Sequence, residues 1–141
     1  MKPRIALRHF AASVMAMLLL SMTGFQYAEA SRVDGAWIIG DLVLNIFDCQ
    51  QLVCGRIAWL KEPARRHSQC GKTIVWGLEA RGPNEWAGGS ILDPDDGHTY
   101  RLSAALATDG TLHARIFEGI PIFGKTKILQ RTDVRFLTEH C

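Results

Sequence analysis

Histidine and cysteine are the residue types in this chain that most readily hold a metal ion, and two of them stand close together. His67 and Cys70 have the H-x2-C spacing of half a metal site. No second half follows, because the other cysteines form no C-x2-C pair, and His98 and His113 stand on turn-flanked predicted strands where surface exposure is usual. The sequence therefore predicts no metal site.

Other patterns that would indicate catalysis are weak. Asp93, Asp95 and Asp96 crowd one turn, but the turn is too short for an EF-hand and has no closing glutamate. Aspartate, proline and glycine favour tight turns for backbone reasons alone. Ser90 is not in a G-x-S-x-G elbow, and no P-loop or dinucleotide fingerprint occurs. We predict a protein that is not an enzyme and has no cofactor.

The four cysteines have a simpler interpretation as disulfides, since an even number in an exported chain is typical of them. Cys49 and Cys54 flank a predicted hairpin tip, where facing positions are close enough to bridge. Cys70 and Cys141 then pair by elimination. This second bridge would tie the C-terminus to a long loop.

The N-terminus predicts export. Residues 1–30 combine a basic start, an apolar stretch over 11–25 and the small-x-small sequence Ala28-Glu29-Ala30, which is typical of a signal-peptidase site. The alternative is a membrane anchor that stays attached, but the apolar stretch is shorter than the roughly 20 residues of a spanning helix. We expect cleavage after Ala30, no stable membrane span afterwards, and a periplasmic or secreted protein.

Charge argues against nucleic acid as a partner. The 141-residue chain has a formal net charge of +2, and removal of residues 1–30 leaves equal numbers of basic and acidic side chains. A neutral domain has no electrostatic attraction to nucleic acid or to an anionic membrane.

The elements that would position these residues are strands, because apolar residues recur with period two almost throughout. The predicted strands cover 36–39, 42–47, 55–60, 73–79, 85–92, 98–107, 111–118 and 125–131. Residues 61–72 read as irregular, Gly88-Gly89 as a bulge or bend, and the tail 132–141 has no clear pattern. We predict one all-β domain over 31–131, an eight-stranded up-and-down antiparallel barrel, with an open sandwich as the alternative.

Aromatic residues on these strands are candidates for the lining of a cavity. Trp59, Trp76, Trp86 and Tyr100 fall on predicted strands, and Leu102 shares the presumed inner face of Tyr100. A cavity lined by them, with Tyr100 as the polar group, would bind a small ligand. In the alternative, the same rings fill the core of a narrow barrel.

Several motifs in a fixed order resemble domain of unknown function 2147 (DUF2147), a family of small exported bacterial proteins. The resemblance covers about residues 34 to 131. It is carried by Gly35-Ala36-Trp37, Cys49 with Cys54-Gly55, Trp86 to Pro94, Gly97-His98-Thr99-Tyr100, Asp109-Gly110, and Gly119 to Thr126 ending at Arg131. One departure is Leu129, where the family usually has a tryptophan.

The chain also resembles, more loosely, the calycins, which include lipocalins and fatty-acid-binding proteins. Those barrels begin with a Gly-x-Trp strand and end with an arginine that packs across the indole. The resemblance implies a structural contact between Trp37 and Arg131, which we call the closing pair; arginine stacks well on aromatic rings. In the alternative, Trp37 is buried, Arg131 is solvated and the two never meet.

Two functions follow from this architecture. The first is an exported carrier that binds a small apolar ligand inside the barrel without chemistry. The second is an envelope protein with a packed barrel, which would present residues 61–72 and the apolar turn 119–124 to a protein or cell-wall partner. A cavity favours the first function, whereas a packed interior beneath an exposed apolar turn favours the second.

Overall fold

A computed structural model describes residues 32–137 and Cys141. The predicted signal peptide and its cleavage site lie outside the described residues, as does His140. The described chain forms eight strands, which are β1 (Gly35–Ile39), β2 (Leu42–Cys49), β3 (Leu52–Leu60), β4 (Thr73–Gly82), β5 (Glu85–Leu92), β6 (Thr99–Leu106), β7 (Leu112–Phe117) and β8 (Lys125–Arg131).

Each strand pairs antiparallel with its neighbours in sequence, and β8 pairs with β1 to close the barrel. Trp37 lies opposite Arg131, and Ile38 opposite Gln130. The predicted up-and-down barrel is therefore confirmed and the open sandwich is wrong. Closure leaves no sheet edge free to pair with another chain.

The β2–β3 hairpin is tighter than the sequence indicated. Cys49 pairs with Leu52, so that only Gln50 and Gln51 form the turn. Both have left-handed backbones, with φ of 61° and 68°, as a two-residue hairpin requires to match the twist of its strands. This is why β3 begins earlier than predicted.

Helix α1 (Pro63–Gln69) lies in the stretch that was predicted to be irregular. Glu62 caps it by accepting a hydrogen bond from the Ala64 backbone N–H at 3.3 Å, and Pro63 occupies the first turn, where its missing N–H costs nothing. A helix of seven residues is too short to display a 3.6-residue apolar repeat. The tail likewise contains a short 3-10 helix, Val134–Leu137.

Gly88 and Gly89 form the predicted irregularity in β5. The β5–β6 register shifts between Trp86 and Gly89, and Gly88 has a φ of 77°. A Cβ atom on Gly89 would lie 2.5 Å from Leu78 Cγ. The Leu78 side chain of β4 therefore leaves no room for a side chain at position 89 of β5. The glycine pair therefore bends β5 around the Leu78 side chain.

The main core lies on the inner faces of the strands, and Trp37, Ile57 and Leu60 have no exposed surface. A smaller cluster of Ala36, Val43 and Ala58 lies outside the barrel. It is covered in part by Phe136 of the C-terminal 3-10 helix.

Both predicted disulfides are present. Cys49 is bonded to Cys54, and Cys70 to Cys141, across 5 and 71 positions of sequence respectively. Among the described residues, no helix is both long enough and apolar enough to cross a membrane.

Candidate ligand-binding cavity

The barrel encloses a cavity of about 930 Å³ that opens at one end. The open end carries the β1–β2, β5–β6 and β7–β8 turns together with helix α1. The walls are mostly apolar, because most of the lining residues on β2, β4, β6 and β7 are aliphatic; examples are Leu44, Leu78, Leu102 and Leu112. A concave apolar space with few polar groups is the usual form of a small-molecule site.

The closing pair lies at the opposite end. The Arg131 guanidinium lies 4.4 Å from the centroid of the Trp37 ring. It donates hydrogen bonds to the backbone carbonyls of Asp34, at 2.9 Å, and Arg32. The Trp37 indole N–H donates to the Val33 carbonyl at 2.7 Å. These contacts join the first and last strands at the end of the barrel away from α1.

The closing pair was expected from its resemblance to the calycins, and the two side chains do meet. Gly35 makes room for the guanidinium, since a Cβ atom there would lie 3.2 Å from Arg131 Nη1. The φ of Gly35 is 119°, a conformation that side chains other than glycine rarely adopt.

Arg65 crosses part of the rim at the open end. Its guanidinium forms ion pairs with Asp41 at 2.9 Å and with Asp95 at 3.0 Å, thereby linking the β1–β2 and β5–β6 turns. Helix α1 positions Arg65, and Gln69 of the same helix donates to Asp95 Oδ1 at 2.8 Å. The segment that was predicted to be irregular therefore shapes the entrance.

Tyr100 lies beneath another part of the rim. Its ring centroid is 4.5 Å from that of His98, whose Nε2 lies 2.6 Å from a Glu118 carboxylate oxygen. Desolvation raises the pKa of the Tyr100 hydroxyl above 10.0, and the nearby carboxylates of Asp96, Glu118 and Asp93 raise it further. At neutral pH the hydroxyl is therefore protonated and able to donate a hydrogen bond.

Only some of the residues that were predicted to line the cavity do so. Tyr100 and Leu102 line the cavity. Trp86 is 5% exposed and belongs to the core, outside the cavity lining.

Trp59 and Trp76 were wrongly assigned to the interior. Trp59 packs outside the barrel, with its ring centroid 5.4 Å from that of Phe136. Trp76 is 38% exposed. Strict alternation placed Trp76 and Leu78 on one face, but Gly77, with a φ of 75°, interrupts the alternation and lets Leu78 share the interior with Val75.

The three basic residues that line the cavity were not among the predicted site residues: Arg65, Lys125 and Lys127. The position of the two lysines could have been predicted from the sequence. If Arg131 packs across Trp37 at the barrel's end, then period two puts Leu129, Lys127 and Lys125 on the same inner face of β8. Nothing in the sequence pattern placed Arg65 at the entrance, because that required the undetected helix.

The described residues contain no group of three or more histidine, cysteine, aspartate or glutamate side chains that could hold a metal ion.

A family model matches residues 35–131 of the chain, about two thirds of its length. It is the model of DUF2147, described as an uncharacterized protein conserved in bacteria. No curated protein matches the chain.

Among solved structures, the barrel is similar to protein HP1028 from the human pathogen Helicobacter pylori, which is described as belonging to the lipocalin family. The two chains are 14% identical and superpose with a TM-score of 0.57, over 72% of this chain and 84% of that one. At this identity the similarity concerns the fold alone.

Proposed function

This chain belongs to the DUF2147 family of bacterial proteins, and we propose that it is an exported carrier that binds a small apolar molecule inside its barrel and performs no chemistry on it. One observation carries the proposal: the barrel has a cavity of about 930 Å³ with mostly aliphatic walls. Ligand sites in proteins commonly fall between roughly 300 and 1,000 Å³. A barrel with a packed interior would have no such space.

Export is supported by the disulfides and by the predicted signal peptide. Both disulfide bonds would be reduced in an ordinary cytosol, whereas they persist in the periplasm or outside the cell. We therefore place the mature protein, beginning at Ser31, in the periplasm or among secreted proteins.

The proposal is tested with a neutral apolar dye, N-phenyl-1-naphthylamine, whose fluorescence rises when it leaves water. We expect saturable binding to the oxidised protein. Ala114→Phe should weaken it at least tenfold, because Ala114 lines the cavity and a phenyl ring would occupy ligand space.

Ala105→Phe is the matched control. Ala105 is on the neighbouring strand, next to cavity-lining Ala104 but on the opposite face of the sheet, and does not line the cavity. Its variant should bind the dye as the parent does. Absence of saturable binding, or equal binding by Ala114→Phe and the parent, would overturn the proposal.

A second candidate function rests on the apolar turn 119–124. Ile120, Ile122 and Phe123 are 55%, 73% and 82% exposed, which is unusual for such large apolar side chains in one turn. Arg115 holds the turn in place by donating to the carbonyls of Pro121 at 2.9 Å and Ile122 at 3.0 Å. The turn would serve as a contact surface for an envelope partner, as would residues 61–72, which include α1.

A double variant, Ile120→Ser with Ile122→Ser, separates the two functions, because both side chains are exposed and neither lines the cavity. If the protein acts through this surface, the double variant loses its partner in cross-linking of whole envelopes while keeping full affinity for the dye. If the protein is a carrier only, cross-linking to the parent and to the double variant gives the same pattern.

A further inference from the structure

Two lysines interrupt the apolar inner face of β8. Lys125 lies opposite Ile116 and Lys127 opposite Ala114, and both of these β7 residues line the cavity. The next residue on the same face, Leu129, is 3% exposed. The inner face of β8 therefore changes from cationic near the entrance to apolar farther inside.

These lysines have no anionic partner of their own. Within residues 32–137 and Cys141, neither ammonium group forms an ion pair or a side-chain hydrogen bond, and both side chains are accessible to solvent. Alternate residues of a strand are about 7 Å apart, so two long lysine side chains can reach one bound group together.

The carboxylates around the entrance contact groups other than these two lysines. Those of Asp41 and Asp95 pair with Arg65, and that of Glu118 lies 2.6 Å from His98. Asp93 accepts a hydrogen bond from the Asp95 backbone N–H at 2.9 Å. The lysines are thus the cations of the cavity left to meet a ligand.

We infer that the ligand of this cavity is an anionic amphiphile, with a carboxylate or phosphate headgroup held by Lys125 and Lys127 and an alkyl chain that lies against Leu129 and the aliphatic walls. The inference rests on the proposed carrier function and specifies its ligand class. A lysine near the entrance lets the charged head keep contact with water while the chain is buried, which avoids the large cost of burying an unpaired charge.

Displacement of the neutral dye by four ligands of equal chain length tests the headgroup: dodecanoate, dodecyl phosphate, dodecanol and dodecyltrimethylammonium, at pH 7.5. We expect one or both anions to displace the dye at concentrations at least tenfold below those of the alcohol, since hydrogen bonds to charged groups are the stronger ones. The cationic amphiphile should be the weakest. The two anions distinguish a carboxylate from a phosphate preference.

Substitutions of the lysines test the position of the headgroup. Lys125→Gln with Lys127→Gln should reduce the affinity for the preferred anion about tenfold or more and leave the affinities for dye and dodecanol unchanged. Lys125→Arg with Lys127→Arg should retain most of the anion affinity. Lys72→Gln is the matched control, since Lys72 is exposed and does not line the cavity.

The outcomes separate the two proposals. Equal affinity for alcohol and anions, or an anion preference that survives the double glutamine variant, overturns the headgroup inference and leaves the carrier function in place. Failure of the parent to bind the dye or any of the four ligands overturns both. A higher affinity for the cationic amphiphile also overturns the headgroup inference, because the carboxylates of the rim would then dominate.

Discussion

Trp37 is the side chain on which the closed end of the barrel depends most. It has no exposed surface, its indole N–H is satisfied by the Val33 carbonyl, and Arg131 covers its ring. Removal of the ring would leave a cavity where the first and last strands meet. It would also deprive the guanidinium of its aromatic contact.

Trp37→Ala should therefore reduce the free energy of unfolding by about 3–5 kcal/mol. Urea denaturation of the oxidised protein measures this. Trp76→Ala is the control, since Trp76 is 38% exposed on the outer face and its loss should cost roughly 1 kcal/mol or less. Equal losses for the two variants would contradict the role given to the closing pair.

At the scale of elements, the β6–β7 hairpin shows how one side chain fixes a turn. Asp109 accepts hydrogen bonds from the Thr111 backbone N–H at 2.9 Å and from the Thr111 hydroxyl at 2.7 Å. These bonds hold the pKa of the Asp109 carboxyl below its usual 3.8. Asp-Gly sequences favour tight hairpin turns, and these bonds from Asp109 show how the side chain stabilises this one.

Because the pKa of Asp109 is lower in the folded state, its carboxylate stabilises the protein above pH 3.8, and this contribution is lost as the pH falls through the lowered value. Asp109→Asn should melt below the parent at pH 7. The difference should shrink as the pH falls below 3.8, where the parent carboxyl also becomes neutral. Melting curves across this range test it, and a difference independent of pH would contradict it.

The sequence predicted most elements because a closed barrel repeats one simple pattern. Most strands have a covered inner face, so period two is visible along them, and Asp109-Gly110 marks a turn through its backbone preference. Helix α1 was not predicted, because a helix of seven residues that depends on a cap and a proline has no periodic apolar pattern. The irregularity at Gly77 was not predicted, because a glycine can either continue a strand or interrupt it, and only the strand pairing decides which.

The candidate site was harder to predict than the fold. Tyr100 and Leu102 follow from the alternation along β6, which has no irregularity. The face of the sheet on which Trp76 lies could not be predicted, since the irregular Gly77 beside it puts Trp76 and Leu78 on opposite faces. Arg65 reaches the entrance through a helix between β3 and β4, and its partners Asp41 and Asp95 come from two other turns. Such proximity depends on the whole barrel and not on local spacing.

As a whole, the molecule has two unlike ends. At one end Trp37 and Arg131 join the first and last strands, and the other end opens between turns that carry charged side chains. The aliphatic cavity lies between them, with Lys125 and Lys127 along one wall near the entrance. This polarity is what a carrier of an amphiphile requires, because the chain of the ligand enters an apolar space while its head stays at the rim.

The central claim is that the barrel holds a small molecule, and native mass spectrometry of protein purified from the envelope of the producing cell tests it most directly. We predict the mass of a chain that begins at Ser31 and contains both disulfides, together with a reproducible small-molecule adduct that is released on unfolding. The Ala114→Phe variant should lack the adduct, and Ala105→Phe should retain it. A bare protein mass from several independent preparations would contradict the claim.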